Sequence, residues 1–418
     1  MKIKKAFKFR LKPNESQRAM LEKYVGACRF VWNKVLRMSL DRLQAKQSII
    51  WYLEADYWSK QWKRSDEYTF LKEVPAHCLQ QKLKDLDRAF KDGFDQHQPL
   101  KRLPKFKKRG LGDSIRFPEP KQIQIENRRI KFPKLGWMGF FKSQGINGQL
   151  RNATIVREGG WWFVSLQVEQ EIEIICQTTQ SSIGIDMGIT HFASLSDGRQ
   201  IGPISAFKQH QIKLAKLQKG LSRKRRFSMN WQKQKHKIQQ LHRKIAHIRQ
   251  DFLHKLSTDI SKNHAMVVLE ALKVSQMSAS SKGSLEKPGK NVKAKSQLNR
   301  SILDQGWFEF KRQLKYKLEW LGKILLEINP AYTSQQCTAC GYIARANRKS
   351  QSEFSCQSCG HEDHADINAA KNILARGLDE LTMSFDKAAG HVVLACGEAA
   401  IVTSMKQESP GKGNLLPA

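Results

Sequence analysis

The chain has 418 residues, enough for two or three domains, and its 73 Lys and Arg against 38 Asp and Glu give a formal charge of +35. A charge of that size predicts a polyanionic partner through long-range attraction and counterion release. No run of eighteen apolar residues and no apolar signal segment occurs in the sequence, so a nucleic acid is favoured over a membrane and a cytoplasmic location is expected. Composition alone does not separate an enzyme from a binding module.

The first hundred residues predict one strand followed by helices. Residues 2–11 alternate apolar and basic side chains, as a half-exposed strand does. A helix is expected next, because Asn14 and Gln17 have the spacing of a capping box. A second helix is expected to open at Pro75, with its leucines on one face. Residues 14–98 are therefore interpreted as mostly helical.

Strands are predicted again from residue 113 to 175, where apolar residues alternate between turns. The first strand is expected to join them, which would make a small barrel with the helices inserted into it. Before these strands, residues 101–109 form a basic run that is interpreted either as a loop over a phosphate backbone or as a solvated surface. Its candidate nucleic-acid ligands are Lys105, Lys107, Lys108 and Arg109.

The most basic stretch of the chain follows an apolar strand at 183–189. Residues 206–250 contain fourteen Lys and Arg and no Asp or Glu, and their leucines and isoleucines recur every three or four positions. This pattern predicts two long helices in a hairpin over 206–262. A charged run is usually a solvated face, but unopposed charges repel one another without an anion, which favours contact with nucleic acid. The candidates near the turn are Arg223, Lys224, Arg225 and Arg226.

The next segments predict a strand, a loop and a helix. Residues 265–270 form an apolar strand that ends in Glu270. Residues 274–300 are rich in Ser and Lys with little periodicity, and a mobile loop is expected there. Residues 307–328 predict a helix.

Four cysteines form two CxxC pairs separated by fifteen residues, Cys337 with Cys340 and Cys356 with Cys359. This spacing is typical of a tetrahedral zinc site with four thiolates. Buried thiols or a disulfide framework are the alternatives. One structural zinc is predicted, because four thiolates leave no open position for water.

Three carboxylates lie where charge is unexpected or well placed. Asp186 lies within the apolar strand segment, Glu270 ends the later strand, and Asp366 opens a helix, with Asp363 as its nearest substitute. Each has an ordinary alternative: an ion pair, a solvated strand end or a helix cap. Together they have the pattern of an RNase H-like nuclease, in which three carboxylates hold two Mg²⁺ ions for phosphodiester hydrolysis.

The sequence resembles TnpB, the RNA-guided DNA endonuclease family of IS200/IS605-type bacterial insertion sequences, from which type V CRISPR effectors descend. The resemblance covers residue 4 to about 375, and the order of its segments makes it more specific than any single motif. The matching segments are residues 5–14, 27–33, 104–109 and 184–188, the Glu270 strand, residues 334–337, the two cysteine pairs, and residues 366–370.

The resemblance implies an α+β multidomain fold. Its expected parts are the first strand of a wedge-like β-barrel (1–13), an inserted helical recognition lobe (14–110), the rest of the barrel (111–178), a RuvC nuclease domain (179–330) with the basic helical hairpin and the mobile loop, a zinc-binding target-strand-loading element (331–362), the last RuvC helix (363–384) and a poorly ordered tail (385–418).

The resemblance also implies that Asp186, Glu270 and Asp366 are a Mg²⁺-binding catalytic triad. The implied partners are a guide RNA from the transposon end and double-stranded target DNA beside a short motif, bound by a monomer in the bacterial cytoplasm and nucleoid. Near residue 80 of the implied recognition lobe, Gln80 and Gln81 have side chains that can read adenine edges.

Other functions compete with a guided nuclease. A nuclease-silent, RNA-guided regulator or an accessory transposition protein could use the same scaffold, but the intact triad opposes this. A single-strand transposase needs a His-x-His pair, and none of the twelve histidines lies two positions from another. A stand-alone zinc-ribbon transcription factor would leave Asp186 and Glu270 unexplained.

Overall fold

The N-terminal strand lies near the middle of a sheet whose other strands come more than a hundred residues later. The computed structural model describes residues 1–98, 100–172, 181–284 and 286–387. The described residues of Met1–Ile172 and Lys235–Gln240 form one compact unit, and those of Glu173–Gln234 and Leu241–Ala418 form a second.

The first unit combines three helices with a seven-stranded antiparallel sheet of order β2-β6-β7-β1-β5-β4-β3. Because β1 pairs with β7 on one side and β5 on the other, the prediction that the first strand joins the later ones is confirmed. Its elements are β1 (Lys2–Lys12), α1 (Glu15–Gln44), α2 (Tyr52–Arg64), a 3-10 helix (Asp66–Glu73), α3 (Ala76–Phe94), β2 (Ser114–Phe117), a 3-10 turn (Pro120–Gln122), β3 (Gln124–Glu126), β4 (Arg129–Phe132), β5 (Gly136–Phe140), β6 (Gln149–Glu158) and β7 (Trp161–Glu171).

Local sequence signals explain how α1 and α3 begin. The Asn14 side chain accepts the backbone N–H of Gln17 at 2.8 Å, and the Gln17 side chain accepts that of Asn14 at 3.2 Å, so the capping box is confirmed. Pro75 precedes the first residue of α3, as predicted. Both helices bury their apolar faces in one core with the inward residues of β1.

The second unit is built on a five-stranded sheet of order β10-β9-β8-β11-β12, in which β8, β11 and β12 are parallel. The predicted pair of basic helices is confirmed as α4 and α5. Its elements are β8 (Ser182–Asp186), β9 (Ala193–Leu195), β10 (Gln200–Ile201), α4 (Ala206–Ser222), α5 (Met229–Asn263), β11 (Met266–Glu270), α6 (Val274–Met277), α7 (Val292–Gln305), α8 (Trp307–Trp320), β12 (Ile324–Ile328), a 3-10 turn (Arg345–Asn347), β13 (Glu353–Ser355), β14 (Glu362–His364) and α9 (Ala365–Lys387).

One segment that was predicted as a single helix contains a helix followed by a strand. The single helix expected over 307–328 is wrong beyond Trp320, because Gly322 takes a φ of 66° and the apolar residues after it form β12. β12 pairs in parallel with β11, from Met266 opposite Ile324 to Glu270 opposite Ile328. A short apolar run fits a buried strand as well as a helix, so periodicity did not distinguish them.

The loop predicted over 274–300 is shorter than expected, since it contains α6 and the start of α7. The Lys295 Nζ donates to the Met277 carbonyl at 2.7 Å, and the Asn299 side chain donates to the Ser278 carbonyl at 3.0 Å, so the two helices are joined by side-chain hydrogen bonds. Within the predicted tail, α9 extends to Lys387 and the remaining residues lie outside the described ones. None of the described helices is both long and apolar enough to cross a membrane.

Candidate active site and four-cysteine cluster

Two carboxylates lie at the carboxyl end of the parallel strands in the second sheet. Asp186 is the last residue of β8, and Glu270 is the last residue of the neighbouring β11. The two strands are in register, with Ile185 opposite Leu269, so both acids follow directly at the carboxyl end. Asp186 had been predicted inside the strand segment 183–189, and it ends the strand instead. The third acid, Asp366, is the second residue of α9, as predicted.

Two glycines allow α9 to lie close to these strands. A Cβ on Gly184 of β8 would lie 2.2 Å from the Ala370 carbonyl oxygen, and a Cβ on Gly377 of α9 would lie 2.6 Å from the Val268 side chain. Real Cβ atoms do not approach other atoms so closely, so only glycine fits both positions. This close packing is what brings the start of α9, and Asp366 with it, toward the strand ends.

The three acids affect one another electrostatically. Burial, and after it the charges of Glu270 and Asp366, raise the pKa of Asp186 to about 7, while the Arg348 guanidinium opposes the shift. Burial also raises the pKa of Glu270, which is only 8% exposed, against the lowering effect of a hydrogen bond from Thr333. The site therefore concentrates negative charge in a partly desolvated place.

The oxygens of the three acids do not lie close enough together to form a compact metal-binding cluster. Among the described residues, only the four cysteines form a group of three or more His, Cys, Asp or Glu side chains whose ligand atoms all lie within 4.8 Å of one another. Arg348 instead donates to the Asp366 Oδ1 at 2.8 Å. The arrangement is an open acidic site with one guanidinium on one of its carboxylates.

A hydroxyl fixes the orientation of Glu270. The Thr333 Oγ1 donates to the Glu270 Oε1 at 2.6 Å, and both side chains are buried. The Thr333 carbonyl accepts the Asn372 side chain at 2.9 Å, so α9 holds the residue that holds Glu270. The Thr333 Oγ1 also lies 3.1 Å from the Pro330 carbonyl, and its shorter hydrogen bond to Glu270 restricts the orientation of that buried carboxyl group.

Three side chains spaced four apart on α9 bind the segment that leads to the first cysteine pair. The Asn368 side chain donates to the Gln336 carbonyl at 2.8 Å, and Asn372 donates to the same carbonyl at 2.7 Å. Arg376 donates to the Ala331 carbonyl at 2.6 Å. Since residues four apart share one helix face, a single face of α9 positions both the acid site and the cysteine element.

The four cysteine sulfurs have the geometry of a tetrahedral metal site. The Cys337 and Cys359 Sγ atoms are 3.7 Å apart, and the Cys340 and Cys356 Sγ atoms are 3.6 Å apart. Tetrahedral ligands at a zinc–sulfur distance of about 2.3 Å would be about 3.8 Å apart. A disulfide needs about 2.05 Å, so the cluster fits zinc and these thiols are free.

Each cysteine pair is closed by a glycine turn. Gly341 and Gly360 have φ angles of 77° and 74°, and each donates its N–H to the carbonyl of the first cysteine of its pair. The backbone N–H groups of Cys359 and Ser358 lower the pKa of the Cys356 thiol, which favours the thiolate form that binds metals.

Arg348 and Thr333 were not predicted as functional residues from the sequence. Arg348 lies between the two cysteine pairs in the sequence, so the segment that carries the cysteines also places a guanidinium group against Asp366. Thr333 lies four residues before the first pair. Neither has a local signal, because one basic residue among several and one hydroxyl in a loop are unremarkable until the fold brings them to the acids.

The basic loop after α3 is anchored to α1. The Trp32 Nε1 donates to the Lys105 carbonyl at 3.1 Å, and the Asn33 side chain exchanges hydrogen bonds with the Lys107 backbone at 2.8 and 3.0 Å. The Lys107 Nζ lies 4.0 Å from the Trp32 ring centroid, and burial lowers its pKa to about 8. Lys107 is therefore packed, whereas Lys105, Lys108 and Arg109 are exposed.

The other predicted nucleic-acid ligands lie on two different elements. Gln80 and Gln81 are half-buried in α3. The four consecutive cations lie at the connection between α4 and α5, where Arg223, Arg225 and Arg226 are exposed and Lys224 is half-buried.

Three family models match the chain. The family described as "Probable transposase", OrfB of IS605, matches residues 165–281. A "Cas12f1-like, TNB domain" matches residues 307–373, which include the cysteine element. A "Helix-turn-helix domain" matches residues 1–48.

Similar proteins cover nearly the whole chain. The "Putative RNA-guided DNA endonuclease InsQ" of Escherichia coli K12 is 48% identical over 95% of both chains. A "Putative RNA-guided DNA endonuclease" of Streptomyces pristinaespiralis is 31% identical over 90% of both. The fold is similar to Cas12f1 in a complex with sgRNA and target DNA, at a TM-score of 0.50 and 13% identity over 89% of this chain and 98% of that one. By its identity to these relatives along almost its entire length, the chain belongs to the TnpB family of IS605-type elements.

Proposed function

We propose that the protein is an RNA-guided endonuclease that hydrolyses phosphodiester bonds in double-stranded DNA next to a short transposon-associated motif. The observation that carries the proposal is that Asp186 and Glu270 end neighbouring parallel strands and that burial, Glu270 and Asp366 raise the pKa of Asp186 to about 7. The names of two relatives that match nearly the whole chain support the same activity.

Magnesium fits the acid site better than zinc does. All three proposed ligands are carboxylates, and hard oxygen ligands prefer Mg²⁺. Asp186, Glu270 and Asp366 would hold two ions, which when bound supply an activated water and stabilise the leaving 3′ oxygen. Burial and the neighbouring charges of Glu270 and Asp366 raise the pKa of Asp186, and this supports the fit, because divalent cations would stabilise the ionised acids.

The chain's own residues have separate tasks in the proposed hydrolysis. A new bond forms between the water oxygen and phosphorus, the bond from phosphorus to the 3′ oxygen breaks, and the products are a 5′-phosphate and a 3′-hydroxyl. Thr333 keeps Glu270 in one orientation through its short hydrogen bond. Arg348 donates to Asp366 and would stabilise charge that develops on the phosphoryl oxygens.

We also propose that the four cysteines hold one structural zinc. The sulfur separations of 3.6 and 3.7 Å support this assignment. The zinc would have no open position for water, so its role would be to fix the segment that carries Arg348.

The domain assignment of the resemblance is proposed for this chain. The seven-stranded sheet would be the wedge-like barrel, α1 to α3 the recognition lobe with Gln80 and Gln81 near the target motif, and the second unit the RuvC domain with the zinc-bearing loading element. One chain would bind one guide RNA from the transposon end, in the bacterial cytoplasm and nucleoid. Lys105, Lys107, Lys108, Arg109 and the four cations at 223–226 would contact phosphates.

The test starts from the RNA that purifies with the full-length protein. Its sequence defines a matching DNA, which is cloned beside randomised flanks so that cleavage also reveals the adjacent motif. With Mg²⁺ the wild type should cut this DNA. Asp186→Ala should bind the same DNA within a few-fold but leave it intact, because most of the affinity comes from phosphate contacts and base pairing elsewhere.

The matched control is Asp363→Asn, which removes a nearby carboxylate that binds Lys371 at 2.7 Å instead of joining the triad. Its cleavage should stay close to that of the wild type. Normal cutting by Asp186→Ala would refute the triad. A wild type that binds guide-matched DNA but never cuts it would favour the nuclease-silent regulator, and one that cuts a fixed DNA sequence without RNA would remove the guided mechanism.

A further inference from the structure

The connection between α4 and α5 exposes large apolar side chains among cations. Phe227 is 67% exposed and Met229 is 68% exposed. Four consecutive cations, residues 223–226, come directly before Phe227, and residues 206–250 contain no acid that could pair with them. Burying the Phe227 ring would be favourable, and here the ring remains in contact with water. Two neighbouring exposed apolar side chains therefore indicate a surface that binds a partner.

The backbone presents this ring in a fixed and strained conformation. Phe227 has a φ of 68°, in the left-handed region that residues with a Cβ avoid. Three hydrogen bonds maintain it: Ser228 N–H to the Arg225 carbonyl at 3.2 Å, the Gln232 side chain to the Phe227 carbonyl at 3.0 Å, and Trp231 N–H to the Ser228 hydroxyl at 3.2 Å. Such strain persists where surrounding contacts impose it, and it is common at ligand-binding positions.

The ring belongs to a small aromatic and cationic group. The Phe227 and Trp231 ring centroids are 5.6 Å apart, and the Arg226 guanidinium carbon lies 4.9 Å from the Phe227 centroid. Aromatic faces stack on nucleobases, while nearby cations bind the phosphates that link them. The group therefore offers both contacts that an unpaired nucleotide needs.

We propose that residues 223–231 form a stacking platform for an unpaired base of the RNA that the protein carries, with Phe227 as the stacking ring. The proposal rests on the proposed function, because it assumes a resident RNA. A duplex would satisfy the cations but not the ring, since paired bases are already stacked on each other. RNA is favoured over DNA because the four consecutive cations at 223–226 have no acid near them in the sequence, and an RNA that the protein carries would neutralise them throughout.

An anionic membrane is the competing partner for basic and aromatic residues. Membrane-surface helices bury a long apolar face in lipid. Here the apolar residues of α5, including Leu241, Ile245, Leu253 and Ile260, are buried within the protein, and the exposed aromatic ring of α4, α5 and their connection is Phe227. The patch fits one base better than it fits a lipid surface.

The experiment compares probes of equal charge on full-length protein freed of its RNA. The probes are a single-stranded oligouridylate, a blunt RNA duplex with the same number of phosphates, and an oligothymidylate of the same length. Phe227→Ala should weaken oligouridylate binding roughly tenfold and leave the slope of affinity against salt unchanged, because stacking releases no counterions. Duplex binding should stay within twofold of the wild type.

Two variants serve as controls. Ile212→Ala truncates an apolar side chain of α4 that is 86% exposed and away from the aromatic pair, and it should change nothing. Phe227→Trp should restore binding of the single strand. The melting temperature of Phe227→Ala should equal that of the wild type, because an exposed ring contributes little to folding.

Several outcomes would overturn the platform. They are an unchanged oligouridylate affinity in Phe227→Ala, an equal loss on duplex and single strand, or a loss on oligothymidylate alone. Binding to phosphatidylglycerol vesicles that depends on Phe227, with no effect on oligouridylate, would assign the patch to a membrane. A failure of the guided nuclease would appear separately, as absent cleavage by a protein that still binds oligouridylate through Phe227.

Discussion

The carboxyl group of Asp186 is the clearest case of a residue whose environment works against its charge. Its pKa is raised to about 7, first by burial and then by Glu270 and Asp366. An acid with a raised pKa in the folded protein destabilises the fold once it is ionised. The site therefore carries a penalty in stability that makes sense only if a cation or a substrate relieves it.

Replacing that acid should stabilise the metal-free protein. In Asp186→Asn, measured with a chelator at pH 8, the free energy of unfolding should rise by roughly 2–4 kcal/mol at 1.36 kcal/mol per pKa unit. The unfolded chain loses the Asp186 proton near pH 3.8 and the folded chain near pH 7, so wild-type stability falls between these values. Below pH 3.8 the gain should vanish, and a gain independent of pH would contradict the raised pKa. Melting temperatures across the pH range provide the measurement.

The Thr333 hydroxyl should matter more to catalysis than to binding. Thr333→Val removes the 2.6 Å hydrogen bond to Glu270 but keeps the shape of the side chain. We expect cleavage of guide-matched DNA to slow by about tenfold to a hundredfold, because a carboxylate about 1 Å out of place is a poorer ligand. Thr333→Ser keeps the hydroxyl and should cut like the wild type. Single-turnover rates with saturating DNA would test this, and equal slowing of both variants would argue against orientation by the hydroxyl.

The candidate acids and cysteines were predicted from the sequence, but the residues that contact them were not. Asp186 and Glu270 have a recognisable context, since a charge at an apolar strand is costly and rare. Arg348 and Thr333 have none, because their significance comes from contacts that join residues eighteen and sixty-three positions apart. Such contacts depend on tertiary structure, which periodicity and spacing do not encode.

At the scale of elements, clear local patterns gave correct predictions. α1 has both an apolar period and a capping box, and most of β1 alternates apolar and basic residues. The strand β12 was predicted as helix, because an apolar run that follows a helix looks like its continuation until the neighbouring strand is known. α7 failed because its exposed Lys and Ser side chains hide a weak apolar period.

The packing of α9 on β8 depends on Gly184. Gly184→Ala would place its Cβ 2.2 Å from the Ala370 carbonyl, so α9 must shift or the strand must bend. We expect a loss of stability of roughly 1–3 kcal/mol from overpacking and a strong loss of cleavage, since Asp366 moves with the helix. Gly202→Ala, at a position with no atom within 4 Å, should be neutral in both measurements. Unimpaired cleavage by Gly184→Ala would show that α9 adjusts without cost.

Loss of the proposed zinc ligands should also lower DNA cleavage at the acid site. Cys356→Ser should lower the zinc content from about one per chain to near zero and make residues 338–360 sensitive to protease. Cleavage should fall as well, because Arg348 lies within this segment and contacts Asp366. Ser358→Ala, which lies between Cys356 and Cys359, should retain zinc and activity. Metal analysis and limited proteolysis provide the measurements, and unchanged zinc in Cys356→Ser would refute the four-thiolate site.

At the scale of the molecule, a formal charge of +35 means that the protein alone repels itself. Positive charge is concentrated in residues 206–250, which contain fourteen Lys and Arg and no Asp or Glu, although Arg249 pairs with Asp304 at 2.7 Å. Salt screens such charges over about 8 Å at physiological ionic strength, and a bound polyanion neutralises them directly.

The RNA-free protein should therefore become more stable as salt rises. We expect its melting temperature to increase from low to physiological salt, and to increase further with polyphosphate, which binds the folded form. Alanine at residues 223–226 should raise the melting temperature in low salt and flatten its dependence on salt. Scanning calorimetry of both proteins would measure this. Parallel curves would mean that the helix connection does not carry the repulsion.

The position of α9 has a consequence for how the protein is made. Asp366, the clamp on Thr333 and the anchor for the cysteine element all come from this last described helix. A ribosome that has completed β8 and β11 has produced two of the acids but no working site. Premature termination before α9 should therefore yield fragments that cannot cut the host chromosome, and nuclease activity should first appear when synthesis of the described chain is nearly complete.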